Sequence, residues 1–337
     1  MSTDSLFKNK INSIIELYSS GSIKEALVSV EALINQKPNE SLLRNIGGVC
    51  YRAAGQLEIA VKCFERAVEI KPDFADAHYN LGLSFQDLNQ LDAAVKSYKD
   101  TLNIQSNYAK AHNNLGIIYK ELGQMSDAIK AYKQVLIIEP RNAEAHNNLG
   151  NALNELGKLE EAVKSYKQAL DIYPDYAEVH NNLGNTLKEL GKTSDAIKSY
   201  KKTLSIAPDF IDAHNNLGNA LKELGLLDKA IKCYEKAIAI SPENAGAHYN
   251  LGVSLYQLGQ IDEALSCYRQ TLAVNPDYAD AHNNLGNILK EQGQSDAAFN
   301  CYVHALVNEP NNAKFHRNLA LMKNYKEGDT QFTHMQS

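Results

Sequence analysis

Apolar residues recur along the chain with a helical spacing that is interrupted at regular intervals. Leu149 and Leu153 lie on one face of a predicted helix, Gly157 follows, and Ala162 and Tyr166 begin a second apolar stripe. This spacing predicts two amphipathic helices separated by a glycine. Sustained two-residue alternation is absent, so the pattern predicts an all-α protein.

The two-helix pattern returns every 34 residues. HNNLG occurs at 112, 146, 180, 214 and 282, and HYNLG occurs at 78 and 248. A fixed period of this length is typical of a solenoid. With Ala143 as position 1, the nine predicted repeats are 7–40, 41–74, 75–108, 109–142, 143–176, 177–210, 211–244, 245–278 and 279–312. The remaining predicted segments are an extension at 1–6, a capping helix at 313–327 and a tail or connector at 328–337.

Certain positions are nearly constant from repeat to repeat. Alanine at position 20 and glycine at position 8 predict close approach of the two helices, and tyrosine at position 24 predicts a core residue. Proline at position 32 is expected to end the second helix. Four of the five cysteines share position 23, where neighbouring repeats are too far apart for a disulfide, so reduced thiols are expected.

Composition narrows the range of partners. The 337 residues carry 34 Lys and Arg against 40 Asp and Glu, a formal net charge of −6, which disfavours a surface that neutralises nucleic-acid phosphates. The start of the chain lacks a secretory pattern, and no run of about 18 apolar residues occurs. The sequence therefore predicts a cytoplasmic protein that binds neither nucleic acid nor membrane.

The repeated motif H-x2-L-G-x2-[LY]…A-x3-Y…P resembles the tetratricopeptide repeat. Histidine stands where that family usually has tryptophan. More narrowly, AHNNLGNALKELG with KSY or KCY in the second helix is similar to the tetratricopeptide half of O-linked N-acetylglucosamine transferases and to repeat arrays in bacterial multidomain proteins. The resemblance implies a right-handed superhelical α-solenoid of antiparallel helix pairs, with the first helices lining a concave groove.

In that transferase, asparagines at position 6 line the groove and hold extended polypeptides by their backbones. The resemblance therefore implies a non-catalytic interaction scaffold whose partners are extended or unstructured polypeptide segments. The matching position-6 residues here are Asn80, Asn114, Asn148, Asn182, Asn216, Asn250, Asn284 and Asn318. Position 9, one turn further along the same face, adds Asn151, Asn185, Asn219 and Asn287. A carboxamide carries both donor and acceptor, so each can pair with an extended backbone.

Other groove positions are less uniform. Tyr79, Leu83, Ile117 and Tyr249 replace asparagine at position 5 or 9 and are expected to form pockets for apolar side chains. An alternative interpretation is that the asparagines were copied by duplication, or that they bridge neighbouring helices within the scaffold. Bridging and ligand binding are compatible.

Catalytic and metal sites are not predicted. Eight histidines share position 4, but the histidines of successive repeats should lie about 10 Å apart. The ligands of one zinc ion each lie about 2.0–2.1 Å from it. Packing with one ring nitrogen hydrogen-bonded is therefore expected, with no metal and no cofactor. Known nucleophile, nucleotide-binding and zinc-protease motifs are absent, so the sequence predicts a protein that is not an enzyme. Lysine at position 12 and glutamate at position 13 are interpreted as charged residues at the groove edge.

A second functional hypothesis concerns a larger enzyme. The ending HRNLALMKNYKEGDTQFTHMQS resembles the connector that follows repeat arrays in bacterial tetratricopeptide proteins with a sulfotransferase-like domain. The chain would then be the substrate-recruiting or oligomerising arm of a glycosyltransferase-type or sulfotransferase-type enzyme. The sequence is also compatible with a homodimer.

Overall fold

The computed structural model describes residues 3–322, which fold into nineteen helices and no strand. The chain divides into two compact units, one ending at Ile172 and the other beginning at Tyr173. No helix in the described range has the length and apolar character needed to cross a membrane.

Each repeat contributes two helices. The helices of the first unit are α1 (Thr3–Ser19), α2 (Ile23–Gln36), α3 (Ser41–Ala53), α4 (Leu57–Ile70), α5 (Ala75–Asp87), α6 (Leu91–Ile104), α7 (Ala109–Glu121), α8 (Met125–Ile138), α9 (Ala143–Glu155) and α10 (Leu159–Ile172). The helices of the second unit are α11 (Ala177–Glu189), α12 (Thr193–Ile206), α13 (Ile211–Glu223), α14 (Leu227–Ile240), α15 (Ala245–Gln257), α16 (Ile261–Val274), α17 (Ala279–Glu291), α18 (Ser295–Asn308) and α19 (Ala313–Ala320).

A residue with positive φ ends the first helix of each repeat. Gly157 has φ 75° and Gly225 has φ 73°, a conformation that glycine adopts without a steric penalty. Asn89 occupies the same position with φ 57°, as the most tolerant non-glycine residue for this region. The reversal lets the second helix pack antiparallel to the first.

Within each unit, the two helices of a repeat pack tightly, and the second helix also packs against the first helix of the next repeat. The alanine at position 20 is fully buried in every repeat, as in Ala94 and Ala230. This confirms the predicted close contact and the all-α solenoid of antiparallel pairs. The prolines follow two residues after the second helices end, as Pro72 follows Ile70.

The predicted cysteine state is confirmed: all five cysteines are free thiols. Burial raises the pKa of Cys63 and Cys301. These residues pack as small side chains between helices.

The two ends differ in detail from the predicted boundaries. Residues 3–6, assigned to an extension, form the beginning of α1. At the other end α19 stops at Ala320, and Leu321 and Met322 lie in a turn. Residues 323–327 of the predicted cap and the predicted tail at 328–337 lie outside the described residues.

Candidate functional site

The first helix of each repeat from the third onward rests on a tyrosine ring from position 24 of the second helix. These rings are almost fully buried, as predicted for a core position. A Cβ atom added to Gly184 at position 8 would lie only 2.5 Å from Cε1 of Tyr200. Glycine therefore allows the ring to pass beneath the helix and to approach its polar residues.

The tyrosine hydroxyl donates a hydrogen bond to the asparagine at position 9. The oxygen–oxygen distances are 2.8 Å for Tyr166–Asn151, 2.8 Å for Tyr200–Asn185, 2.8 Å for Tyr234–Asn219 and 2.9 Å for Tyr302–Asn287. Because the amide oxygen is directed towards the tyrosine, the Nδ2 group is directed away from it. The buried hydroxyl thus fixes the orientation of each position-9 amide.

Five of the eight position-6 amides are fixed by a different neighbour. Their Nδ2 groups donate to the residue at position 5 of the preceding repeat. The pairs are Asn80 to Asn45 at 3.0 Å, Asn114 to Tyr79 at 3.3 Å, Asn216 to Asn181 at 3.2 Å, Asn284 to Tyr249 at 3.2 Å and Asn318 to Asn283 at 2.7 Å. Bridging of neighbouring helices, the alternative interpretation of these residues, therefore occurs within each unit.

Bridging leaves the amide oxygen of four of these residues available. In the described part of the chain, the Oδ1 atoms of Asn80, Asn114, Asn216 and Asn318 accept no hydrogen bond, and the buried amide oxygen without a partner is that of Asn215. The four position-6 oxygens therefore reach solvent. All eight predicted position-6 residues are half-buried, as are the four position-9 asparagines.

The four predicted pocket residues, Tyr79, Leu83, Ile117 and Tyr249, are also half-buried. The ring centroid of Tyr79 lies 5.7 Å from that of Tyr98 and 4.9 Å from that of Tyr108. Tyr249 has the same arrangement in the second unit, 6.0 Å from Tyr268 and 4.9 Å from Tyr278.

Both of these rings are packed among other tyrosines, and their hydroxyls accept from the asparagine of the next repeat. A depression of about 360 Å³ lies beside Tyr79 and Asn114, and Lys110, Glu139 and Glu144 also line it. Its wall is therefore largely polar.

Charged residues form a second row on the same helices. In two repeats of the first unit, position 12 pairs with position 13 of the next repeat, with Arg52 Nε 2.6 Å from Asp87 Oδ2 and Lys120 Nζ 2.9 Å from Glu155 Oε1. These pairs are partly exposed, so their contribution to stability is small, about 0–1 kcal/mol each. They reduce the number of unpaired charges along this face.

The position-4 histidines have a structural role. The ring Nε2 of His78 lies 3.0 Å from the carbonyl oxygen of Pro72, and that of His214 lies 2.8 Å from Pro208. This confirms the predicted hydrogen bond of one ring nitrogen. His112 makes the same contact with Ser106 at 3.0 Å, because the acceptor is a main-chain atom. Within residues 3–322 no group of histidine, cysteine and carboxylate side chains could hold a metal ion.

Sequence reasoning identified the asparagine rows but missed the atoms that orient them. Each position-9 bond spans 15 residues, and each position-6 bond spans 35 residues, one more than the period. The constant spacing was visible in the sequence. The hydrogen-bond partner of each asparagine could not be predicted from the sequence, because it depends on the rotamers of side chains from two helices.

Two family profiles match the chain. The first, described as TPR repeat, matches residues 48–89, 84–123, 116–157, 150–191, 184–225, 218–259 and 254–293, and the second, described as Tetratricopeptide repeat, matches residues 279–312. A search of curated proteins finds no match.

Many solved structures are similar to this chain. The crystal structure of MamA is 30% identical, with 49% of this chain and 96% of that chain covered and a TM-score of 0.47. YrrB, whose structure is described as a TPR protein with an unusual peptide-binding site, is 22% identical over 56% of this chain and 96% of its own, with a TM-score of 0.49. The APC/C hetero-tetramer Cut9–Hcn1 is 16% identical over 89% of this chain and 58% of its own, with a TM-score of 0.57, a likeness of fold alone.

Proposed function

Because the chain belongs to the tetratricopeptide repeat family, we propose that it is a non-catalytic interaction scaffold that binds extended polypeptide segments along the first helices of its repeats. The binding groups in this proposal are the position-6 and position-9 asparagines, which we call the asparagine rows. The observation that supports it is the fixed and opposite orientation of the two rows in α13 and α17, where both orienting hydrogen bonds are present.

Asn216 and Asn219 in α13 illustrate this orientation. The Nδ2 group of Asn216 is bonded to Asn181, so its Oδ1 atom remains as an acceptor. The Oδ1 atom of Asn219 is bonded to Tyr234, so its Nδ2 group remains as a donor. One helical turn therefore offers an acceptor and a donor, which are complementary to the N–H and C=O groups of an extended backbone.

Prior orientation favours binding because the amides lose little rotational freedom when the ligand arrives. Adjacent first helices lie roughly 10 Å apart, and an extended strand advances about 3.3 Å per residue, so each repeat would contact about every third residue of the ligand. Because these contacts are made to the ligand backbone, the ligand side chains are largely not recognised. Binding is therefore expected to tolerate many sequences but to require an extended conformation.

The test replaces Asn182, Asn216, Asn250 and Asn284 by alanine in the second unit. Each hydrogen bond contributes about 0.5–1.5 kcal/mol, so the fourfold change should weaken binding of unstructured peptides by well over tenfold. Affinity for neutral peptides should depend little on salt, since the contacts are between neutral amides. Fluorescence anisotropy with a panel of labelled peptides, at low and high salt, measures both effects.

A matched control replaces four exposed asparagines outside the rows, Asn103, Asn107, Asn300 and Asn311, by alanine. This variant should bind as the wild type does. Circular dichroism and the melting temperature show whether both variants fold, and alanine is the better helix former. Equal affinities of a folded row variant and the control would remove the asparagine rows from the mechanism.

The hypothesis of a transferase arm stays a prediction, as do the likeness to the O-linked N-acetylglucosamine transferase repeats, the homodimer and the cytoplasmic location. The residues that suggested a sulfotransferase connector lie mostly beyond residue 322, outside the described range. No observation on the described residues favours a catalytic role.

A further inference from the structure

In the first unit, Arg52 and Lys120 at position 12 pair with a carboxylate at position 13 of the next repeat, but Lys222 in the second unit does not. Lys120 has Glu155 as its partner 35 residues later, and the same separation places Gln257 opposite Lys222. Glutamine cannot neutralise an ammonium group. Across residues 3–322, no carboxylate forms an ion pair with Lys222.

Lys222 is nevertheless half-buried on the face that carries the asparagine rows. Its Nζ atom lies 3.2 Å from Oδ1 of Asn250 and 6.0 Å from the ring centroid of Tyr234. Burial lowers the pKa of Lys222, and the nearby charge of Lys188 lowers it further. Glu223, the residue 35 positions after Lys188, instead accepts a hydrogen bond of 3.3 Å from Thr193.

The contact between Lys222 and Asn250 takes the place of a hydrogen bond between neighbouring repeats. Since Oδ1 of Asn250 faces the lysine, its Nδ2 group does not make the bond to position 5 of the preceding repeat that Asn216 and Asn318 make. The position-5 residue here is Asn215, and its Oδ1 atom is buried without a hydrogen-bond partner. A buried unpaired amide oxygen is unfavourable and is uncommon in folded proteins.

We propose that Lys222, with Asn250 beside it, binds an aspartate or glutamate side chain of the extended polypeptide. This inference rests on the proposed function and names the residue class that the groove selects at one point. The carboxylate replaces Oδ1 of Asn250 as the acceptor for the lysine. Rotation of the Asn250 amide then directs Nδ2 towards Oδ1 of Asn215 and completes the row.

An internal acidic side chain fits this site better than a chain terminus. Position-6 asparagines precede and follow the site in the same unit, at Asn216 and Asn284, so the bound backbone continues on both sides of Lys222. The chain as a whole carries a net charge of −6, which repels acidic ligands. A preference for an acidic peptide must therefore come from a local site.

The experiment compares two fluorescein-labelled, unstructured peptides with amidated C-termini. They are identical except that one has a central Asp-Asp pair and the other has Asn-Asn. Fluorescence anisotropy should show about tenfold tighter binding of the acidic peptide to the full chain, the effect of one charge-assisted hydrogen bond in a half-buried site. The preference should decrease as salt is added, because it depends on charge.

Three variants test whether the preference for the acidic peptide depends on Lys222. Lys222→Met removes the charge and keeps most of the aliphatic stem, while Gln257→Glu supplies the missing carboxylate partner. Both should abolish the preference for the acidic peptide over the neutral one. Lys120→Met is the matched control, since it removes a position-12 charge already paired with Glu155, and it should keep the preference.

The outcomes separate the two proposals. If the wild type binds both peptides equally, the acidic site is wrong and the peptide scaffold remains. The same holds if the preference survives both Lys222→Met and Gln257→Glu. If neither peptide binds the wild type, the proposed function and the acidic site fail together.

Discussion

At the scale of single residues, the glycine at position 8 and the tyrosine at position 24 act as a pair. Glycine inside a helix costs about 1 kcal/mol relative to alanine. In return the large ring is buried, and its hydroxyl reaches the asparagine at position 9 where one is present. The pair thus connects the core to the surface that is proposed to bind ligands.

We predict that Gly218→Ala destabilises the chain by about 1–3 kcal/mol, the usual cost of overpacking. The added Cβ would lie 2.5 Å from Cε1 of Tyr234, so the ring must shift. Urea denaturation followed by circular dichroism measures the change. Gly246→Ala is the matched control, because its Cβ would meet nothing closer than Oδ1 of Asn244 at 3.5 Å. It should stabilise the chain by about 0.5–1 kcal/mol. A Gly218→Ala variant as stable as this control would contradict the prediction.

The sequence revealed which residues are constant but not always which atoms they contact. Small residues at positions 8 and 20 predict close approach on their own. The tyrosine ring as the neighbour of each glycine, and the bond from Tyr234 to Asn219, required the relative placement of two helices. The missing hydrogen bond at Asn215 could not be predicted, since the sequence around Asn215 is nearly identical to that around Asn181.

At the scale of helices, α19 covers the apolar face of the last complete repeat. Phe315 and Leu319 are buried there. Leu319 belongs to the cluster that contains Leu285 and Tyr302, and Phe315 packs with Ala305. A solenoid needs such a cover, because its terminal repeat has no neighbour on one side.

Deleting residues 313–337 should therefore lower the melting temperature and promote association through the uncovered surface. Loss of the two buried side chains alone corresponds to about 3–6 kcal/mol of hydrophobic stabilisation. Differential scanning calorimetry and light scattering measure the two effects. Deletion of 323–337 keeps Phe315 and Leu319 and should change both quantities less. A truncation at 312 that melts at the wild-type temperature and stays monomeric would count against a covering role for α19.

Helix positions followed closely from the repeat period, whereas the chain ends did not. The first helices occupy positions 1–13 and the second helices positions 17–30 in repeats two to nine, as α13 and α14 show. Each helix boundary recurs in successive repeats, so an unclear signal in one repeat is resolved by the equivalent residues of the others. α1 begins at Thr3, before the predicted start of the first repeat, and α19 ends at Ala320, before the predicted end of the capping helix.

At the scale of the whole molecule, the buried tyrosines link stability to pH in both units. Burial, with smaller contributions from Glu155, Glu121 and Glu144, raises the pKa of Tyr132 to about 12. Burial also raises the pKa of Tyr302 to about 12, with Cys301 and Glu291 contributing. The folded state thus favours the neutral phenol over the phenolate.

The sign of the linkage follows from these shifts. The folded-state pKa values exceed the unfolded value of about 10, so the stabilisation is complete below pH 10 and is lost as the pH rises towards 12. Each tenfold difference in proton affinity corresponds to about 1.4 kcal/mol. Since such rings occur in both units, the free energy of unfolding of each unit should fall over this interval.

Urea denaturation at a series of pH values from about 9 to 12, with phenolate absorbance recorded in parallel, measures this loss. The matched variant is Tyr132→Phe, because Phe64 occupies the same position in the second repeat and is fully buried there. Removing one titrating phenol should make the decline with pH shallower. Its stability below pH 10 should change little, because the ring remains. If the variant and the wild type lose stability in parallel between pH 10 and 12, Tyr132 does not carry this linkage, and the destabilisation at high pH must arise from other ionising groups.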